Sequence, residues 1–528
     1  MSSVTADTVD GALAEIGEAA HLGADLVELR LDFLTDIDLL DPTPMLERML
    51  GACETALLPA LVTFRPMWEG GQYSGPDLPR LAVLKAAAGA GAQYIDVEHL
   101  AAGSFFSSEG EVPSSTAVII SHHNYSETPS DEALEALVED MFDEGADIAK
   151  IATTAKCVED SARMLALPGK APGGWLVIAL AMGEAGLPTR LLAPKFGGYL
   201  IFGALSAEES SATGQSTIAE LRRLYRVHSQ TEDTKVFGIV DSPAAAVRGP
   251  PWSAVLHNAA LAAAGMDTIY VPLCADDLRS CLDAFPCFSG FCLTAPHQVL
   301  AALECADEAD RSAARIGAAD TLQRQTDGRL QAYNTEWAAA VSALEAALGG
   351  AWCNAGSPQK GESALRGKCV VVVGAGGAGR ALAFGVVEKG ARVIVCDRQV
   401  TSSALQQQMA GILAISLGSG ASAVKHADVA AGRVAGDVLI NSMPACMEES
   451  LVSAAALSCY RVVLDATCTS LQTRLLREAQ ELGCATVSGL EISVTQAAQQ
   501  FELLTGAPAP VALMRQATLE RMHATNNA

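Results

Sequence analysis

Lys150 stands in the run DIAKIAT with apolar residues on both sides. An unpaired ammonium in such surroundings is strongly disfavoured, which makes this lysine a candidate amine nucleophile for a ketone. A lysine paired with a buried carboxylate for structural reasons is the alternative reading of the same pattern. In SHHNYSETP, His123 closes a strand-like run and is the residue type that moves a proton on a carbon beside an imine; a solvated loop histidine is its plainer alternative. Arg65 in FRPMWEGG and Arg190 in LPTRLLAPKFGG carry the planar, two-pronged cation that grips a carboxylate. Further along, Gly374, Gly376 and Gly379 have the spacing G-x-G-x-x-G, follow the run VVVV and open a helical pattern, the context that a dinucleotide-binding turn requires. Asp397 lies 18 residues beyond Gly379, where an acid hydrogen-bonds the ribose hydroxyls of NAD and repels a 2'-phosphate. A glycine-rich packing turn in a nucleotide-free domain remains the alternative there.

These side chains need elements to hold them. Up to about Gly214, the runs DLVELRLD, ALLPALVTFRP, AQYIDVE, TAVIISHHN, DIAKIAT, GWLVIALAM and YLIFGAL alternate with Ala-rich helical patterns, which implies a parallel sheet. Seven strands are one short of an eight-stranded α/β barrel, so the first strand is expected to be lost or abbreviated at the N-terminus. Polar residues fall late in the runs: Glu28, Arg30 and Asp32, then Arg65, Asp96 and Glu98, His122 and His123, Lys150, and Ser206. Barrel active sites are built at that end of the strands. The polar stretch RRLYRVHSQTEDTK ends the first domain near residue 230. A new strand starts at Val236, and a Gly/Ser/Pro/Lys-rich loop after Leu348 separates a further α/β segment from the Gly-rich unit, 366–490. The fold class is therefore α/β throughout: a barrel, then a two-part unit with a Rossmann domain.

With 528 residues, 50% hydrophobic, the chain builds several cores and is not a disordered protein. Lys+Arg 35 against Asp+Glu 61 gives a net charge of -26, which opposes nonspecific binding to nucleic acid or anionic membrane. An anionic ligand must then be held by local cations. The 14 cysteines form no C-x-x-C pair, so neither a metal site nor a disulfide scaffold is expected. Apolar runs are about half the ~20 residues of a membrane span. The acidic N-terminus lacks a signal-peptide core and an Arg-rich transit character, so the expected compartment is the cytoplasm, or a plastid if a leader is missing.

The first domain resembles type I 3-dehydroquinate dehydratase: ELRLD, TFRPMWEGG, YIDVE, SHHN with TP following, AKIAT and SATGQ occur in that family's order. The resemblance implies that Lys150 forms the imine with the substrate ketone and that His123 takes the adjacent proton and helps expel water, without a cofactor. It also implies that Glu28, Arg30, Arg65, Arg190, Ser211 and Gln215 hold the carboxylate and hydroxyls, that Glu69 and Glu98 support them, and that His122 is structural. A class I aldolase, which also uses a barrel lysine, is the rival; the two arginines with Gln215 favour a hydroxylated carboxylate over a sugar phosphate.

The remainder resembles shikimate dehydrogenase, through KVFGIV, VLHNAAL, TAPHQ, IGAADTL, AYNTE, GAGGAGRALA, TRLLREA and SGLEISVTQAAQQFELLTG. The fusion is similar to the bifunctional plant-type family. Residues 491–528 are then expected to return to the substrate domain of 231–348, with Gln496 touching substrate, and NAD or NADP is the expected cofactor. Small cyclic hydroxylated carboxylates are the expected ligands of both halves. Here the departures are informative. Gln298 replaces the family's catalytic lysine and Glu336 its aspartate, while Asp320 stands for a substrate-binding asparagine and Cys468 for a tyrosine. The serine pair of the carboxylate site gives way to AVRGPPW, with Ser253 nearby and Arg248 as a possible countercharge. Arg398, after Asp397, is the residue type that accommodates NADP. The expectation is a dehydrogenase impaired towards shikimate; a working bifunctional enzyme, an NAD-dependent quinate dehydrogenase and a non-catalytic nucleotide-binding module are the alternatives.

Overall fold

The computed structural model describes residues 1–35, 37–206, 215–242, 251–294, 300–351, 362–397, 413, 416–418, 420–443, 452–467 and 472–526. Two compact units divide the chain: Met1–Val236 with Pro243–Pro250 and Asp267–Pro286, and Phe237–Ser242 with Pro251–Met266 and Cys287–Ala528.

In the first unit seven parallel strands follow one another in sequence order: β1 (Ser2–Val4), β2 (Val27–Arg30), β3 (Ala60–Thr63), β4 (Tyr94–Glu98), β5 (Ala117–His123), β6 (Ile148–Thr154) and β7 (Leu176–Met182). The first strand is indeed abbreviated, with three residues paired to Val27, Glu28 and Leu29. The run YLIFGAL is not a regular strand. It nevertheless occupies the eighth place, because Tyr199 N–H donates to the Val177 carbonyl while the Met1 amine donates to the Ile201 carbonyl and Gly203 N–H to the Met1 carbonyl. Helices cover the sheet for local reasons. In Asp131–Asp143, Ser130 caps the first turn, Asp131 and Glu132 favour the positive end of the helix dipole, and Leu134, Val138 and Met141 repeat on one buried face.

The strand period of two sorts the side chains. Leu61, Ile119, Ile148 and Ile178 form an apolar layer inside the sheet. Two residues further along the same faces stand Thr63, Ser121 and Lys150, so the sequence switches from apolar to polar towards the strands' C-terminal ends.

In the second unit, Gly290–Leu293 lies between Lys235–Asp241, parallel to it, and Thr321–Arg324, antiparallel to it; Leu330–Tyr333 pairs antiparallel with the latter. A six-stranded, all-parallel sheet follows, in the order Ala421–Ala423, Arg392–Cys396, Cys369–Val373, Val438–Asn441, Val462–Asp465, Ala485–Ser488. The helix Gly489–Thr505, which precedes the last helix, Val511–Asn526, packs back on the first of these sheets: Gln500 Nε2 donates to Thr321 Oγ1 at 3.1 Å and Gln323 Nε2 to the Leu503 carbonyl at 3.0 Å. Among the described residues no helix is long and apolar enough to cross a membrane.

Candidate active site

A cavity of about 210 Å³ opens at the C-terminal ends of the barrel strands, and Lys150, His123, Arg190, Arg65, Glu28 and Arg30 all contribute to its wall. Gln215 lines it as well. Ser211 lies outside the described residues.

Lys150 is buried and paired, so the two readings of its sequence pattern meet in one residue. Its Nζ donates to Asp96 Oδ2 at 2.8 Å, lies 3.7 Å from Glu28 Oε1 and 4.7 Å from the centre of the Phe202 ring. Burial opposes ionisation of Asp96, but Arg65 and Lys150 outweigh it and hold this carboxyl well below the usual range. Glu28 accepts from Ser3 Oγ at 2.6 Å and Thr63 Oγ1 at 2.9 Å. Burial pushes it up, yet Lys150 and Arg30 leave it below its ordinary value.

His123 is held by the loop after the third strand. Glu69 Oε1 accepts from His123 N–H at 2.6 Å and lies 3.4 Å from Nδ1. Burial, with Arg65 and Lys150 nearby, lowers the imidazole well below its ordinary value, so at neutral pH it is uncharged and able to accept a proton. Burial pushes Glu69 up to about 7.

The arginines divide into two kinds. Arg65 is consumed by the protein: NH2 meets Asp96 Oδ1 at 2.8 Å, and NH1 meets Glu98 Oε1 at 2.9 Å and Ser121 Oγ at 2.7 Å. Arg30 forms a two-pronged pair with Asp32 at 2.9 and 2.7 Å. Arg190 is 5% exposed and has no hydrogen bond or ion pair among the described residues. Burial alone lowers its guanidinium to about 10. A desolvated cation with no countercharge among the described residues, at a cavity wall, has the chemistry to take an anion from outside.

Sequence reasoning placed Asp96 only among the polar strand ends and gave it no role. Its signal was present: Asp96 and Glu98 are two apart in YIDVE, and two acids on one inward strand face require cations. Tyr125, whose ring stacks on His123 at 6.1 Å and whose hydroxyl donates to the Glu69 carbonyl at 3.2 Å, was missed altogether.

In the second unit the Gly-rich turn joins Cys369–Val373 to the helix Gly377–Glu388. Gly374 has φ +112°, and a Cβ at Gly379 would run into the Gly374 carbonyl, so both positions require glycine. Gly376 caps the helix with no atom within 4 Å of where its Cβ would stand, which leaves the helix N-terminus open to a pyrophosphate. These residues fit a dinucleotide. Asp397 follows the neighbouring strand and accepts from Ala375 N–H at 3.2 Å.

Asp320 has a structural use. Its carboxylate accepts from Thr335 N–H at 2.8 Å, Thr335 Oγ1 at 2.8 Å, Glu336 N–H at 2.9 Å and Thr321 Oγ1 at 2.7 Å, which ties down the start of the helix Glu336–Ala351. Burial nevertheless raises Asp320, and burial with Asp320 alongside pushes Glu336 up to about 8. Gln496 is half-buried on the helix Gly489–Thr505. Ser253 Oγ is buried with no partner among the described residues. Gln298, Arg398, Arg248 and Cys468 lie outside them.

Known families match along the chain: Type I 3-dehydroquinase over residues 2–232, the shikimate dehydrogenase substrate binding domain over 249–322, and the shikimate 5'-dehydrogenase C-terminal domain over 489–519. The chloroplastic bifunctional 3-dehydroquinate dehydratase/shikimate dehydrogenase of Arabidopsis thaliana is 43% identical over 511 residues, 96% of this chain and 82% of that protein. The 3-dehydroquinate dehydratase of Desulfotalea psychrophila is 36% identical over 210 residues, 38% of this chain and 87% of that one. The shikimate dehydrogenase (NADP(+)) of Methanosarcina acetivorans is 34% identical over 304 residues, 55% of this chain and 99% of that one.

Proposed function

The chain belongs to the bifunctional 3-dehydroquinate dehydratase/shikimate dehydrogenase family, a dehydratase fused to a shikimate dehydrogenase unit, and from that premise we propose that its first unit works through an imine on Lys150. The Lys150 amine adds to the ketone carbon of 3-dehydroquinate and water leaves, giving the imine. Uncharged His123 takes a proton from the adjacent carbon, and the electron pair left behind forms the enamine. The hydroxyl at the next carbon then departs as water, with His123 returning the proton, in a syn elimination. Water finally hydrolyses the imine, freeing 3-dehydroshikimate and the lysine. Arg190 receives the substrate carboxylate. The observation that carries this reading is a buried guanidinium with no partner among the described residues, in the cavity that also contains the lysine and the neutral histidine. Borohydride added with substrate should inactivate the enzyme and place the mass label on Lys150; label elsewhere, or normal turnover by Lys150→Ala, rejects the mechanism.

For the second unit the reading is a nicotinamide-dependent dehydrogenase much weakened towards shikimate. A nicotinamide cofactor would supply the hydride acceptor, and Gly374, Gly376, Gly379 and Asp397 are the residues that would hold it. That acid favours NAD; Arg398 and the NADP(+)-named relative argue the other way. The proton of the substrate hydroxyl is the difficulty, since Glu336 is pushed up to about 8 and so is mostly protonated at pH 7, while Gln298 cannot carry a proton. Spectrophotometric assays with shikimate and quinate, each with NAD and NADP, test the reading. Robust shikimate oxidation abolished by Gln298→Ala rejects it, and tighter calorimetric binding of NADP reverses the cofactor assignment.

A further inference from the structure

Behind the barrel wall, the helix Asp77–Gly89 contributes Arg80, a guanidinium with no exposure at all. Nothing in the reaction described above uses it. Its NH1 meets Glu98 Oε2 at 2.6 Å and the Phe64 carbonyl at 3.2 Å, and its Nε meets Asp77 Oδ1 at 2.8 Å. Glu98 presents its other oxygen to Arg65, which reaches Asp96, which holds Lys150. Cations and anions alternate along this row: Arg80, Glu98, Arg65, Asp96, Lys150, Glu28. Three positive and three negative side chains balance, each less than 5% exposed. Every carboxylate from Glu98 to Asp96 is stretched between two cations.

We propose that Arg80 is a positioning residue for the Lys150 amine, acting through Glu98, Arg65 and Asp96; the inference rests on the imine reading of Lys150. The physical argument is competition for Arg65. With Arg80 in place, one Glu98 oxygen is occupied, so Arg65 divides its two nitrogens between Glu98 and Asp96. Without Arg80, Glu98 is a buried carboxylate short of a partner, and it draws Arg65 onto both its oxygens. Asp96 Oδ1 then loses its guanidinium and keeps only the Ser121 hydroxyl, at 2.6 Å, so the carboxylate turns further onto Lys150 and pulls Nζ away from the cavity. Displacements of about 1 Å at a reacting atom cost on the order of 10²-fold. Arg190, which receives the carboxylate, and Gln215 stand outside the row, so the loss is expected mainly in kcat.

The test uses the full chain with 3-dehydroquinate as substrate. In Arg80→Gln, kcat should fall by about 10- to 100-fold with KM within about twofold, and the rate of borohydride trapping at Lys150 should fall in parallel. Arg80→Lys should be intermediate, because one ammonium cannot serve Glu98, Asp77 and the Phe64 carbonyl together. The double variant Arg80→Gln/Glu98→Gln restores charge balance and should recover most of the loss. An unchanged kcat in folded Arg80→Gln, a loss confined to KM, or a double variant no better than the single one overturns the proposal. Should Arg80→Gln fail to fold, Arg80→Lys carries the test, and an unchanged kcat there overturns it. Failure of the unaltered enzyme to trap at Lys150 would instead reject the imine reading itself.

Discussion

At the barrel mouth, cations and carboxylates alternate, and Arg65 and Lys150 hold Asp96 ionised; in the second unit, the carboxyl groups of Asp320 and Glu336 stand together with no ion pair to either among the described residues. Asp96 is as buried as Asp320, yet Arg65 and Lys150 pull its carboxyl down, whereas burial without a cation raises Asp320 and, beside it, Glu336. Burial alone therefore does not decide protonation. What the neighbours supply does: Asp96 among cations is held ionised, whereas Glu336 beside another carboxyl is pushed up to about 8.

Removing the base should expose the contrast most strongly. His123→Ala is expected to lower dehydratase turnover by about 10²- to 10⁴-fold while borohydride still labels Lys150, since the imine forms without it. Loss of both labelling and turnover would break the division of roles between lysine and histidine.

Arg190 is the exception within the barrel, a buried cation with no partner among the described residues. Arg190→Gln is expected to reduce kcat/KM by about 10- to 100-fold, the worth of about 1.5–3 kcal/mol for hydrogen bonds to a charged group. The same change should raise the melting temperature, because the folded chain no longer desolvates a lone guanidinium. Lower activity with lower stability would mean that Arg190 has a structural partner.

Much of this was legible in the sequence, and the reason differs by residue. Lys150, His123 and the glycine turn were visible because strand alternation and loop spacing are local properties of the chain. The pairing of Asp96 with Lys150 spans 54 residues and depends on the relative register of three strands, which no local pattern encodes. Asp320 presented itself as a charge hostile to an anionic substrate, and only the antiparallel pairing of Thr321–Arg324 with Leu330–Tyr333 brings it back to cap the helix beginning at Glu336. The short first strand was anticipated from a count of runs. The irregular eighth segment was not, because YLIFGAL has the apolar composition of a strand and nothing in that run marks the missing ladder.

A smaller effect separates the two units by pH. Glu69 titrates at about 7 beside His123, so the dehydratase should show an ionisation near neutrality that Glu69→Gln removes. Above that pH the Glu69 carboxylate favours the imidazolium that forms as His123 takes the proton, so the parent enzyme should gain rate from pH 6 to 8 and the variant should not. An identical pH profile in the two would detach Glu69 from the chemistry.

The smallest expected change lies in the second unit. A carboxyl raised from 4.5 to about 8 binds its proton more tightly when folded, so Glu336 leaves stability undiminished below about pH 4.5 and subtracts from it progressively as pH rises through that window. Glutamine mimics the protonated form and should not follow this loss. Glu336→Gln is therefore expected to melt close to the parent at pH 5 and a few degrees above it at pH 8.5, as read by calorimetry of the full chains. A variant that is less stable at pH 8.5 would mean that the carboxylate has found a cation, and the contrast between the two sites would then narrow to the residues that carry the proton.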